Sequence, residues 1–219
     1  ALLYRCEGLS QRRISNSLPT TTVRWEPTMR SRTMRPDGPR CRPPGGEVVF
    51  LASFEWSERK QPGLLLTVFN QTFHRGEGAI LLCKVIGSGG PTALKRRLAA
   101  LPLKKTGGRI AFLGRDLPHA QLGALYRSAD AYVSASRGEG WDLALTEAMA
   151  CGLPVIAPRW GAPAEYLGEE TGYLVDLRGT VPAVSTQTAH AAGSWADPDP
   201  DHLSALLRRV YEKRDEARD

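Results

Sequence analysis

The sequence predicts an α/β fold, a doubly wound parallel sheet preceded by an irregular N-terminal arm. Three observations carry that expectation. Six short runs are almost continuously apolar, as strands buried on both faces are, and do not alternate. Segments with apolar residues at helical spacing lie between them. Strand-like and helix-like segments follow one another five times over, the order that builds a parallel sheet with helices on both faces.

The elements follow in chain order. Residues 1–46 are rich in Arg, Pro, Ser and Thr with little periodicity, and are expected to form an irregular arm or an interdomain linker remnant. Residues 47–219 are expected to form the folded domain. Its strands are VVFLASF from Val48, AILLCKVIG from Ala79, RIAFLG from Arg109, AYVSAS from Ala131, PVIAP from Pro154 and GYLVD from Gly172. Helices are expected at Pro62–Phe73, Pro91–Leu101, His119–Arg127, Asp142–Cys151 and Pro163–Leu167. The stretch Ala183–Ala196 has no period, and Pro198–Arg218 reads as an amphipathic terminal helix with Leu203, Leu206, Leu207, Val210 and Tyr211 inward. In a doubly wound sheet, ligands sit outside the carboxyl ends of the strands. Four loops fall there: Ser53–Lys60, Gly87–Gly90, Gly114–Pro118 and Ser136–Trp141.

Charge narrows the function. The net charge of +6 resides in the arm, where nine arginines face three acids; the remaining residues balance at 20 basic against 20 acidic. The high pI therefore describes the arm and gives the folded body no basic surface for nucleic acid. No apolar run approaches the roughly 18 residues needed to cross a bilayer, so no transmembrane segment and a cytoplasmic location are expected. The absent initiator Met suggests a fragment or an incomplete gene model. Cys6, Cys41, Cys83 and Cys151 form no C-x-x-C pair and are expected as free thiols, buried at Cys83 and Cys151; no metal site is expected. His74, His119, His190 and His202 are scattered singly and read as surface residues.

The most informative stretch is SRGEGWDLALTEAMACGLPVIA, Ser136–Ala157. It sets Glu139 and Glu147, seven residues between them, across a loop-to-helix junction. Gly138 and Gly140 let backbone come close to a ligand, and Leu143, Leu145, Ala148 and Met149 recur at helical spacing, which places Glu147 on a helix. A carboxylate accepts two hydroxyl hydrogen bonds and so suits a vicinal diol, while the free N–H groups of a helix start suit a phosphate. Both belong to a sugar nucleotide. A second motif, FLASFEWSERKQPGLLL, carries Arg59 and Lys60 on a loop before a helix headed by Pro62, where two cations suit a diphosphate; alone, such a pair reads as solvated surface.

The run EGWDLALTEAMACGLPVIA, with Ser136 before it and WGAPAEYL after it, resembles the E-x7-E signature of retaining glycosyltransferases of the GT-B fold, glycosyl transferases group 1. The resemblance extends from about Val23 to Arg218, with VRWEPTMRSRTMRPDGPR similar to the family's interdomain segment. It implies a Rossmann-like, C-terminal donor-binding half, with a first Rossmann-like domain missing together with its catalytic-side histidine. It implies hexosyl transfer from a UDP- or GDP-sugar to an unknown acceptor, without metal or other cofactor, by a front-side substitution in which the departing phosphate takes the acceptor proton. By the same resemblance Glu139 orients the donor-sugar hydroxyls and Glu147 holds the ribose. Lys60, Arg59 and the segment Gly140, Trp141, Asp142 and Leu143 at the helix start face the diphosphate, and the base stacks near Gly114–Leu117.

The chain departs from the family pattern at three places. Glu55 stands where the family has a second cation. Gln61-Pro62-Gly63 shifts the glycine that usually follows the lysine. Asp142 replaces a glycine, where it is expected to cap the helix. Either catalysis tolerates these changes or the site is weakened, which leaves a non-catalytic nucleotide-sugar-binding or scaffold protein as the alternative. Gly87–Gly90 reads equally as a phosphate approach or a plain turn, and Glu165 equally as a brace or surface.

Overall fold

The computed structural model describes residues 20–22, 46–87, 89–114, 116–183 and 193–213. It contains β1 Thr20–Thr22, β2 Val48–Glu55, α1 Pro62–Thr72, β3 Ala79–Ile86, α2 Gly90–Ala99, β4 Arg109–Leu113 and α3 His119–Arg127. There follow β5 Ala131–Val133, α4 Leu143–Ala150, β6 Val155–Pro158, α5 Pro163–Tyr166, β7 Tyr173–Val175, β8 Leu177–Pro182, β9 Ser194–Pro198 and α6 Pro200–Glu212. Seven strands form one sheet in the order β1-β4-β3-β2-β5-β6-β7, every neighbour parallel. This is the expected doubly wound α/β fold. All six expected strands are present, and β1 adds a short edge strand inside the arm; the rest of the arm, with Cys6 and Cys41, lies outside the described residues, as do His190 and most of Ala183–Ala196.

Each strand feeds one core on either face. Phe50, Ala52, Phe54, Leu81, Cys83 and Phe112 meet Leu65, Phe69 and Phe73 of the α1 region and Leu203, Leu207 and Val210 of α6 on one face. Val49, Leu51 and Tyr132 meet Leu125 and Tyr126 of α3 and Leu145 and Ala148 of α4 on the other. The aromatic cluster of Phe50, Phe69 and Phe73, with ring centroids 4.9–5.9 Å apart, fixes α1 on the sheet. Buried Asn70 ties α1 to the loop before β4: its Nδ2 donates to the carbonyls of Lys104 and Gly108, and its Oδ1 accepts from Lys104 N–H at 2.7 Å.

The order reverses between β2 and β5. From β2 the chain winds outward through β3 and β4; from β5 it winds the other way through β6 and β7. The loops after β2 and β5 therefore diverge to opposite faces and open a crevice at their carboxyl ends. Two expectations are corrected here. Residues 177–198 contain an antiparallel β8–β9 hairpin that sequence periodicity did not reveal, because most of β8 is exposed and a strand open on both faces has no apolar pattern. The terminal helix begins at Pro200, where Asp199 Oδ1 accepts from the N–H groups of Asp201 and His202, and runs to Glu212; residues 214–218 lie outside the described ones. Cys83 is a buried free thiol as expected, whereas Cys151 is only half-buried.

Candidate active site

The loop after β2 is a compact turn. Gln61 takes a left-handed conformation, φ 46°, and Pro62 starts α1. This directs Arg59 and Lys60 across the crevice to the loop after β5, which is pinned from beneath: Arg137 N–H donates to Arg59 O at 2.7 Å, and Ser136 Oγ donates to Arg59 O at 3.2 Å. The Gln61 amide oxygen, turned toward Arg137, accepts from its Nη2 at 2.8 Å and its Nε at 3.0 Å. Two loops far apart in sequence thus form one rim.

On that rim Glu139 joins both cations. Lys60 Nζ lies 2.6 Å from Glu139 Oε1 and Arg59 Nη1 lies 2.8 Å from Oε2, while Arg59 Nη1 also donates to Gly138 O at 2.7 Å. Burial acts to raise the Glu139 pKa, but the bonds from Lys60 and Ser136 and the charges of Lys60 and Arg59 prevail and hold it below the ordinary carboxylate range. Gly161 braces the same residue from behind. Its φ is 63°, a Cβ there would fall 2.8 Å from the Glu139 carbonyl oxygen, and Ala162 N–H donates to that oxygen.

Asp142 takes the position before α4, but the expected cap is not made. Its backbone is left-handed, φ 61° and ψ 70°, and its side chain accepts no bond from the helix start. The carboxylate turns inward instead, with 2 % of the side chain exposed, Oδ1 3.9 Å from Lys60 Nζ and Oδ2 without a hydrogen-bond partner. Burial chiefly, opposed by Lys60 and reinforced by Glu139, raises its pKa. Glycine, the residue the resemblance implies at this place, adopts this backbone without strain.

Glu147 sits one turn into α4 and does not meet Glu139; its Oε2 accepts from Tyr126 Oη of α3 at 2.8 Å. Burial and this bond raise the Tyr126 pKa far, so the phenol stays a donor. Gly140 has open space around it. Trp141 and Leu143 are the exposed apolar residues beside the crevice, 54 % and 69 % exposed. The Trp141 ring leans on Tyr166, 5.5 Å between centroids, and its carbonyl accepts from Tyr166 Oη at 2.8 Å; burial pushes the Tyr166 pKa up to about 12. Gly114 and Leu117 stand on the loop after β4, two strands from β2, with open space at Gly114. Arg59, Lys60, Glu139 and Asp142 therefore converge, Glu147 flanks them on α4, and Gly114 and Leu117 lie at the far side of β3.

The expected departure at Glu55 has a definite geometry: Oε1 lies 3.3 Å from Arg59 Nη2, so this acid holds the outer edge of the guanidinium. The β8–β9 hairpin also belongs to the site's support, since Ala196 N–H donates to Arg137 O at 2.8 Å and Trp195 lies against Gly138. Sequence reasoning missed Tyr126, Tyr166, Trp195 and the bracing role of Gly161. WGAPAE held a signal for the last; the other three are aromatics in ordinary packing patterns and had none. His202 Nδ1 accepts from Asp176 N–H, away from the crevice. Among the described residues no three His, Cys, Asp or Glu side chains gather as metal ligands, and no helix is long and apolar enough to cross a membrane.

Comparison with known proteins identifies the family. The family profile described as glycosyl transferases group 1 matches residues 45–192. A D-inositol 3-phosphate glycosyltransferase of Rhodococcus opacus (strain B4) is 33% identical over 157 residues, covering 67% of this chain and 32% of that protein. A sucrose-phosphate synthase structure from Thermosynechococcus elongatus superposes with a TM-score of 0.58 at 26% identity, over 80% of this chain and 39% of that one. The C-terminal domain of a glycosyl transferase group 1 family protein (LpcC) from Francisella tularensis superposes with a TM-score of 0.53 at 20% identity, covering 78% of each. The chain spans about a sixth to a third of the length of the curated relatives it matches.

Proposed function

Since the chain belongs to the glycosyl transferases group 1 family, we propose that it is the donor-binding C-terminal domain of a retaining, metal-independent hexosyltransferase that takes its sugar from a UDP- or GDP-sugar. The observation that carries the proposal is the convergence of Lys60 and Arg59 on Glu139 beside the start of α4. A sugar diphosphate has the matching parts. Its anionic oxygens replace the Glu139 carboxylate on Lys60 and Arg59 and take the free N–H groups of α4. Glu139, released from the cations, accepts from hydroxyls of the sugar. Glu147, oriented by Tyr126, accepts from the ribose diol.

In the transfer step the bond from the anomeric carbon to the diphosphate oxygen breaks, and the acceptor oxygen forms its bond on the same face. The acceptor proton passes to the departing phosphate, so this domain supplies no base. Negative charge grows on the leaving group, and fixed cations with helix N–H groups lower the barrier where that charge appears. In this reading the acceptor is held by a first Rossmann-like domain of the whole protein.

Titration of UDP-glucose and GDP-mannose into the chain by calorimetry tests the reading. One donor binds saturably, and Lys60→Ala and Glu147→Ala each weaken it about tenfold or more. Failure of both donors to bind a folded chain, and also its Glu55→Lys/Asp142→Gly variant, defeats it. A second reading, a nucleotide-sugar binder without transferase activity, has one observation in its favour: two extra acids occupy the cations, Asp142 beside Lys60 and Glu55 on Arg59. Donor binding by the complete protein without release of nucleoside diphosphate, in wild type and in the Glu55→Lys/Asp142→Gly variant alike, would favour it.

A further inference from the structure

Lys84 is a buried lysine that nothing above explains. It lies on β3, paired across the sheet with Ser53 of β2 and Leu113 of β4. Residues of one row share a face, and this row belongs to the face packed by α3 and α4, where Leu51, Tyr132 and Leu113 lie. Lys84 is 6 % exposed, and among the described residues no hydrogen bond or ion pair reaches its ammonium. The stem is buried, but the Lys84 ammonium is not among the fully enclosed polar atoms without a partner, so its head keeps access to an opening where a wholly enclosed ammonium would cost several kcal/mol. A lysine near the end of a strand keeps its stem in the packing and its head toward the remaining opening. The carboxyl end of β3, where Lys84 lies, leads into the loops that follow β3 and β4.

Its place across the sheet selects its ligand. Arg59, Lys60 and Glu139 close the crevice over β2 and β5. Strands are spaced about 4.8 Å apart, so β3 stands roughly 10 Å from β5 and beside the loop bearing Gly114 and Leu117. If the diphosphate lies over β2 and β5 and the ribose on Glu147, then β3 passes under the nucleoside, one sugar ring away from the phosphates. An ammonium has three donors and no acceptor. A nucleobase carbonyl receives it, whereas an exocyclic amino group at the same ring position repels it. Uracil and guanine carry a carbonyl where cytosine and adenine carry an amino group.

We propose that Lys84 is a specificity-determining residue of the donor site, which donates to the ring carbonyl of a keto base and so selects uracil or guanine against cytosine or adenine. The assignment rests on the donor-binding reading above and adds a residue and a selection rule to it.

The test is a calorimetric titration of UDP, CDP, GDP, ADP and inorganic pyrophosphate into the 219-residue chain and its Lys84→Met variant. Met keeps the stem's volume and removes the charge; Lys84→Gln, a neutral donor, stands in if the Met protein does not fold. Wild type is expected to prefer UDP over CDP, or GDP over ADP, by about tenfold or more, as a charge-assisted bond implies. Lys84→Met brings the ratio to within about twofold and leaves pyrophosphate affinity unchanged. An unchanged keto-to-amino ratio in the variant overturns the proposal. So does an equal loss for UDP, CDP and pyrophosphate, which would make Lys84 a phosphate cation. Wild type binding no nucleoside diphosphate at all would remove the donor-binding reading itself, and this proposal with it.

Discussion

At the scale of single residues the crevice is a balance of two carboxylates around one lysine. Glu139 has its pKa lowered, so its ion pairs stabilise the fold fully above the ordinary Glu value near 4.5, and that contribution is lost as pH falls through the lowered value. Lys60→Met should therefore destabilise the chain by about 2 kcal/mol at pH 7. The difference should shrink toward pH 3, when urea unfolding of both proteins is followed across that range. Asp142 behaves oppositely. Its pKa is raised, so between the unfolded and folded values the native state holds the proton more tightly, and stability declines as pH rises. Asp142→Gly removes the buried unpartnered oxygen and the left-handed strain together, and should raise stability by about 1–2 kcal/mol at pH 7. The gain should be smaller at pH 4. A loss of stability at pH 7 would show that the 3.9 Å attraction to Lys60 outweighs both penalties.

At the scale of elements the site is held by contacts that sequence spacing does not express. The strands were legible because parallel strands covered by helices on both faces are almost continuously apolar, as Val48–Ala52 and Ala79–Cys83 are. Glu139 was legible from the glycines on either side of it and the helix start after it, whereas Arg59 and Lys60 read alone as solvated surface and were assigned only by the resemblance. The β8–β9 hairpin, Asn70 and Tyr126 were not, since their roles arise only when segments distant in the chain meet. Gly161 shows the difference in one residue: the sequence offers a glycine after Trp160, and the fold uses it to seat α5 against the Glu139 carbonyl. Gly161→Ala places a methyl within 2.8 Å of that backbone oxygen and on a positive φ. It should lower stability by about 1–3 kcal/mol and weaken donor binding as well, measured by thermal unfolding and calorimetry. Asn70→Ala makes a useful contrast. It frees three backbone groups of the loop before β4 and should destabilise by about 2–4 kcal/mol, with no specific effect on the donor once the protein is folded.

At the scale of the whole molecule, one sheet carries both cores. Phe50 and Leu51 are neighbours on β2 yet belong to opposite clusters, so neither helix layer can leave without exposing the strand that supports the other. The crevice lies where the sheet reverses direction and draws its residues from the loops after β2 and β5 and from α4, joining the two halves of the winding. A ligand there should stabilise the described body as one unit. At a hundredfold excess over its Kd, a donor nucleotide contributes about 2.7 kcal/mol, which for a domain of this size shifts Tm upward by roughly 5–10 °C. Scanning calorimetry with UDP or GDP should show a single transition that moves as a whole, and Lys60→Ala should remove the shift at the same nucleotide concentration. Two resolved transitions, of which the nucleotide moves one, would mean that β2–β4 and β5–β7 unfold separately. The crevice would then be a junction between two cooperative units, and donor binding would have to be measured as the coupling between them.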